Sequence, residues 1–234
     1  MTTEIGIVSE EKFENEFRRA VTLASDKART TTSWKPHGDL AYKQQQRSEG
    51  QKIFIDNNND FAVCMSGIYD ERYEEFLYGM IRGKLDVKKA LLEGCFMPLA
   101  ELNVSRWEGR MPEDNFNSLL IASRFESKPK LYTCWPLGKV EERYFTSIGS
   151  GSKYALPYIQ KKAKAIPYAV SLENSIDLAV EGIKAASEDI YTGGLDIVIV
   201  TEKEIIPFGK EIDENVNSAL NKSILDIKSR LGRK

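Results

Sequence analysis

A chain of 234 residues with 41% hydrophobic and 10% aromatic content has enough apolar surface to close a substantial core, which excludes a disordered or low-complexity chain. Its 33 basic and 35 acidic residues are interspersed and nearly cancel to a net charge of -2, leaving no electrostatic footprint for nucleic acid or an anionic membrane surface. Three widely spaced cysteines, Cys64, Cys95 and Cys134, and no apolar stretch near the roughly 20 residues that span a bilayer point to a cytoplasmic chain with reduced thiols, and MTTEIGIV lacks a signal-peptide pattern.

In chain order, residues 4–8 (EIGIV) and 20–25 (AVTLAS) read as short strands joined by a long charged connection, SEEKFENEFRR. Residues 31–51 are polar, hold Pro36 and two glycines and show no sustained period, so they read as an excursion loop. KIFIDNNNDFAVCMSG (52–67) reads as two strands around an Asn-rich turn. Between Ile68 and Leu102 the apolar spacing becomes helical, with Phe76, Leu77, Met80 and Ile81 on one stripe and Val87, Ala90, Leu91 and Leu92 on the next: two helices joined near Gly83.

Three strands follow, 118–125, 130–137 and 143–150, then two helices, 153–166 and 171–190, the second with Ser171 placed to cap it. LDIVIV and EIIPF close the sheets, and 212–231 is an amphipathic segment suited to pack on its own domain or on a neighbouring subunit. Runs of strands alternating with runs of helices favour antiparallel sheets with helices outside, and no linker or repeat divides the chain. The expected architecture is an α+β, four-layer αββα sandwich forming one domain over 1–234.

The chemistry-bearing groups are few. His37 is the single histidine and lies in a polar stretch, where a solvated surface group is the ordinary outcome, so Ser–His–Asp and Cys–His mechanisms are set aside. No phosphate-binding glycine loop, dinucleotide fingerprint or Cys/His cluster at metal-ligand spacing occurs, and no cofactor or metal is expected. Hydroxyls, carboxylates and a lysine remain.

Six short motifs stand in order: MTTEIGI at the start, SDKART at 25–30, KIFI at 52–55, MSG at 65–67, IGSGSKYA at 148–155 and EDIYTGG at 188–194. Each alone is a common start, turn or helix cap. In series, on this layout of strands and helices, they resemble a proteasome β-type subunit of the N-terminal-nucleophile hydrolase superfamily. Relative to that family, 9–19 and 31–51 read as insertions, and no propeptide is expected ahead of Thr2.

That resemblance implies a threonine-type endopeptidase whose nucleophile is a mature N-terminal threonine. A threonine at a chain start carries hydroxyl and base together, because an α-amine titrates near pH 7.7–8.0 without help from histidine. Thr2 is the matching position, made terminal by removal of Met1. Asp26 and Lys52 match the family's pair beside the nucleophile, where a lysine held by an aspartate lowers the pKa of a neighbouring hydroxyl. Lys52 directly precedes a strand as the family lysine does, while Lys43 is the alternative by spacing alone.

By the same resemblance Gly67 offers its N–H to the oxyanion, Met65 floors the specificity pocket, and Thr30 holds extended substrate backbone. Ser150, Asp189 and Thr192 surround and orient the α-amine. The implied partners are a peptide or unfolded protein substrate, further copies in a homo-oligomeric ring or stacked rings, and a regulatory or ATPase complex. Two other outcomes stay open: an amidase or transpeptidase using the same nucleophile, and a catalytically silent ring-assembly subunit.

Overall fold

The structure, a computed structural model, describes residues 3–13, 16–26, 28–37, 40–49, 52–67, 71–105, 116–126, 128–164, 170–186, 195–208 and 229. The first two strands, Glu4–Phe13 (β1) and Glu16–Asp26 (β2), pair antiparallel from Glu4↔Ser25 to Phe13↔Glu16. The charged stretch expected as a long connection is therefore the outer half of this hairpin. Some of its charges are paired: Glu10 and Arg19 are register partners, with Arg19 Nε donating to Glu10 Oε1 at 2.8 Å, and Arg18 reaches Glu16 on its own strand and Glu202 beyond the hairpin.

The expected loop over 31–51 is also strand. Ala28–His37 (β3) and Leu40–Glu49 (β4) form a two-stranded ribbon, from Ala28↔Glu49 to His37↔Leu40, hydrogen-bonded to neither larger sheet. Its sequence carries no alternating apolar pattern, so nothing in it announces the pairing.

Ile53–Ile55 (β5) and Phe61–Ser66 (β6) flank the Asn-rich turn as expected. Asp56 holds that turn by accepting from the N–H groups of Asn58, Asp60 and Phe61, and Asn59 adopts φ 57°. Three helices follow rather than two: Glu71–Ile81 (α1), Val87–Glu93 (α2) and Met97–Val104 (α3). The additional break comes from Gly94, a left-handed C-cap at φ 70°, with Pro98 in the first turn of α3.

Ser118–Ser123 (β7), Lys130–Cys134 (β8), Val140–Arg143 (β9) and Phe145–Ile148 (β10) make four strands where three were expected. The stretch 143–150 divides because β9 ends one sheet and β10 joins the other. Ser152–Lys164 (α4) and Leu172–Ala186 (α5) come next, with Ser171 Oγ accepting from Asn174 N–H at the start of α5. Leu195–Thr201 (β11) and Ile205–Phe208 (β12) complete the order. The amphipathic stretch 212–231 lies outside the described residues apart from Ser229.

Among the described residues, the strands other than β3 and β4 form two five-stranded antiparallel sheets, β10-β1-β2-β11-β12 and β5-β6-β7-β8-β9. Ile5, Ile7, Ile197 and Ile199 face α4 and α5, while Val8, Val198 and Val200 on the same strands face the other sheet. On the second sheet Ala62 and Cys64 face inward, and Val63 and Met65 pack under α1 to α3. The central stretches of these strands thus bury both faces and read as continuous apolar runs, and three cores separate the four layers of the αββα sandwich.

Candidate functional site

Antiparallel pairing gathers several chain ends at one end of the sandwich. The start of β1, the end of β2, the end of β10 and the start of β11 are neighbours through Glu4↔Ser25, Glu4↔Ile148 and Leu195↔Asp26. In the second sheet Ile53 pairs with Cys64, which sets Lys52 and Gly67 at a shared end.

Asp26 closes β2 and is fully buried. Thr3 N–H donates to Asp26 Oδ2 at 2.5 Å, and Asp26 N–H donates back to the Thr3 carbonyl at 3.1 Å. The other carboxylate oxygen, Oδ1, accepts from Lys52 Nζ at 2.7 Å. Lys52 is itself 7% exposed, and its backbone N–H donates to Asp196 Oδ2 at 3.3 Å. Asp26 thus joins the buried ammonium to the main chain of the residue bonded to Thr2. Such charge-assisted bonds are short and directional, and the buried geometry depends on both partners being present. Lys52, which precedes β5, makes this pair; Lys43 is the register partner of Trp34 in the ribbon.

The turn after β10 approaches from the other side. A Cβ built on Gly151 would fall on Thr3 Oγ1 and stand 3.0 Å from Ala186 Cβ, so only glycine fits between them. Ser150 immediately precedes it, half-buried, on the turn leading into α4. Gly67 ends β6 at φ 123°, and a Cβ there would meet the side chain of Asn117 and come within 2.7 Å of its Cα. Asn117 is held by Asn103, which accepts from Asn117 N–H at 2.8 Å and donates to its carbonyl at 3.0 Å.

Met65 is 4% exposed in the core under α1 to α3. Thr30 stands in the ribbon opposite Arg47. Thr2, Asp189 and Thr192 lie outside the described residues.

Sequence reasoning passed over Glu4, Asn103, Asn117 and Asp196. Glu4 and Asp196 carried a usable signal, an acid inside an apolar strand run (EIGIV, LDIVIV). Glu4 is fully buried, and burial pushes its carboxyl up to about 8; Lys52 and the positive charge at the chain start oppose the rise, while Asp26 adds to it. Burial also raises the Cys64 thiol, with Glu4 contributing in the same sense.

Two antiparallel sheets face to face, helices on both outer surfaces and a buried Asp–Lys pair beside the start of the first strand define the sandwich of the N-terminal-nucleophile class. A family model described as proteasome subunit matches residues 104–201. Proteasome subunit beta 1 of Thermococcus gammatolerans is 36% identical over 205 residues, 86% of this chain and 90% of that protein. Proteasome subunit beta 1 of Pyrobaculum neutrophilum is 29% identical over 210 residues, 87% and 92% of the two chains. A proteasome subunit alpha of Methanocaldococcus jannaschii is 30% identical over 87 residues, 37% and 32% of the two. The chain belongs to the proteasome subunit family, as a β-type member.

Proposed function

We propose that this chain is a threonine-type endopeptidase whose nucleophile is Thr2, freed by removal of Met1. The observation that carries the reading is the buried Lys52–Asp26 pair bonded to the main chain of Thr3. Thr2 Oγ attacks the peptide carbonyl as its proton passes to the Thr2 α-amine, with Lys52 supplying fixed positive charge beside the forming alkoxide. The Gly67 N–H steadies the oxyanion, the tetrahedral adduct collapses to an ester on Thr2, and the amine returns its proton to the departing amino group. Water then attacks the ester, giving its proton to the same amine, and the freed acid leaves Thr2 regenerated.

Ser150, Asp189 and Thr192 orient the amine in this scheme, Thr30 pairs with substrate backbone, and Met65 floors the pocket. The membership in a proteasome family supports assembly into rings with further subunits; the proposal adds unfolded chains as the substrates and the cytoplasm as the place of action. The test is intact mass after exposure to a threonine-directed covalent inhibitor, together with peptide cleavage. The expected result is loss of Met1, one adduct on the wild type, and neither adduct nor cleavage for Thr2→Ala. Retained Met1, or cleavage by Thr2→Ala at the wild-type rate, overturns the reading.

A further inference from the structure

Glu4 is the feature that neither the fold nor the proposed chemistry uses. Its strand neighbours Ile5 and Ile7 face the helices, whereas its lateral neighbours are Ser25 on β2 and Ile148 on β10, which belongs to the core between the sheets. Glu4 therefore directs a carboxyl group into the inter-sheet space. It is 0% exposed, and among the described residues neither Oε1 nor Oε2 has a hydrogen-bond partner. A carboxylate in that condition is costly, and proteins tolerate it chiefly by keeping the group protonated.

The groups facing it come from four elements. Asp26 ends β2, Lys52 leads into β5, Cys64 lies on β6, and Asp196 on β11 stands beyond Ser25 in the same row. The amino-terminal charge of the chain acts on Glu4 in the same sense as Lys52. Among these, Lys52 is the ammonium already committed to Asp26 at 2.7 Å.

We infer that Glu4 is a positioning residue for the hydrolytic centre: a buried, titrating carboxyl that sets the charge balance around the Asp26–Lys52 pair. Protonated, it leaves the pair balanced. When its proton leaves to solvent, a second carboxylate faces the same ammonium and weakens the support that Lys52 lends to Thr2 Oγ. Reactivity at Thr2 then falls as the medium becomes alkaline. This consequence rests on the Thr2 reading above, while the titration of Glu4 does not.

The experiment compares the full chain with Glu4→Gln, which keeps the shape and removes the proton. The first measurement is melting temperature against pH. The folded carboxyl titrates near 8 and the unfolded one near 4.5, so the folded state holds the proton longer. Wild type should lose stability relative to Glu4→Gln as pH rises across that window, with a constant gap above it. The second is the rate of covalent labelling at Thr2, read by intact mass. Wild type should label about tenfold more slowly than Glu4→Gln by about pH 9, the effect of one pKa unit at the hydroxyl.

A melting gap that does not change with pH overturns the inference whatever the labelling shows. A changing gap with identical labelling profiles overturns the link to Lys52. No labelling at any pH removes the Thr2 reading and with it the catalytic meaning of Glu4, and a changing gap then supports the titration alone. Should Glu4→Gln fail to fold, carboxyl ¹³C NMR of Glu-labelled wild type decides. One glutamate titrating near 8 supports the inference, and every glutamate titrating within about one unit of 4.2 overturns it.

Discussion

In the middle of the inter-sheet layer Val21, Leu23, Leu120 and Leu131 meet, whereas at the end where β1 begins and β2 stops, Glu4, Ser25, Asp26, Lys52 and Asp196 gather. Both regions are buried: Leu120 and Asp26 are each 0% exposed. They differ in what burial requires. In the middle, removing a side chain forfeits transfer energy and leaves a cavity, and the surroundings relax partway. At the end, Asp26 and Lys52 depend on one another, and removing one leaves the other's charge buried without its counter-ion, while Glu4 is buried with no hydrogen-bond partner among the described residues.

The sharpest way to break that contrast is Lys52→Ala, which leaves Asp26 buried without its cation. Unfolding free energy should drop by about 3–5 kcal/mol in denaturant titration, and peptide cleavage should be lost. The double variant Asp26→Asn with Lys52→Met should regain most of the stability and none of the cleavage. Recovery of activity would show the pair to be structural only.

Leu120→Ala probes the apolar middle. It should cost about 2–5 kcal/mol by the same measurement. The labelling rate at Thr2 should change little for the molecules that remain folded. Gly151→Ala lies between the two kinds, because the new methyl presses on Thr3 Oγ1 with Ala186 behind it. About 1–3 kcal/mol of overpacking is expected, accompanied by slower labelling at Thr2. Gly79→Ala, whose new methyl would meet Leu85 at an ordinary contact distance of 3.5 Å, is the control for an added methyl that fits.

The smallest effect belongs to a pair with neither character. Lys184 and Glu181 are 2.8 Å apart on the outside of α5, 66% and 47% exposed. Lys184→Ala should shift stability by under about 0.5 kcal/mol, and less at high salt.

The sandwich was legible because most strands bury both faces and so carry unbroken apolar runs, as in FAVCM and LDIVIV. Where that physics is absent the reading fails. The β3–β4 ribbon has no alternating apolar pattern, and β9, with half-buried Val140 and exposed Arg143, is an edge strand too polar to stand out. The break between α2 and α3 was written in Gly94 and Pro98, but continuous helical spacing across it masked the signal.

At the site, Asp26 and Lys52 were found through motif resemblance, since nothing local in either stretch says that residues 26 positions apart will meet. Glu4 was overlooked although its place in EIGIV was a signal, because the first residue of a strand run can equally be a solvated end. Only the pairing of β1 between β2 and β10 shows that the end is inside.

The ribbon has a consequence of its own. Its first rung, Ala28↔Glu49, lies two positions past Asp26 and three before Lys52. Closing a loose loop of that size would exact an entropy that grows with the logarithm of its length. A ribbon zipping from its tip reaches its root through neighbouring rungs, so its length is decoupled from the bond at its base. Rungs added or deleted in matched sets at the far end would change the ribbon's length while leaving the root in register, making this a stretch of chain free to vary in size beside a centre that is not.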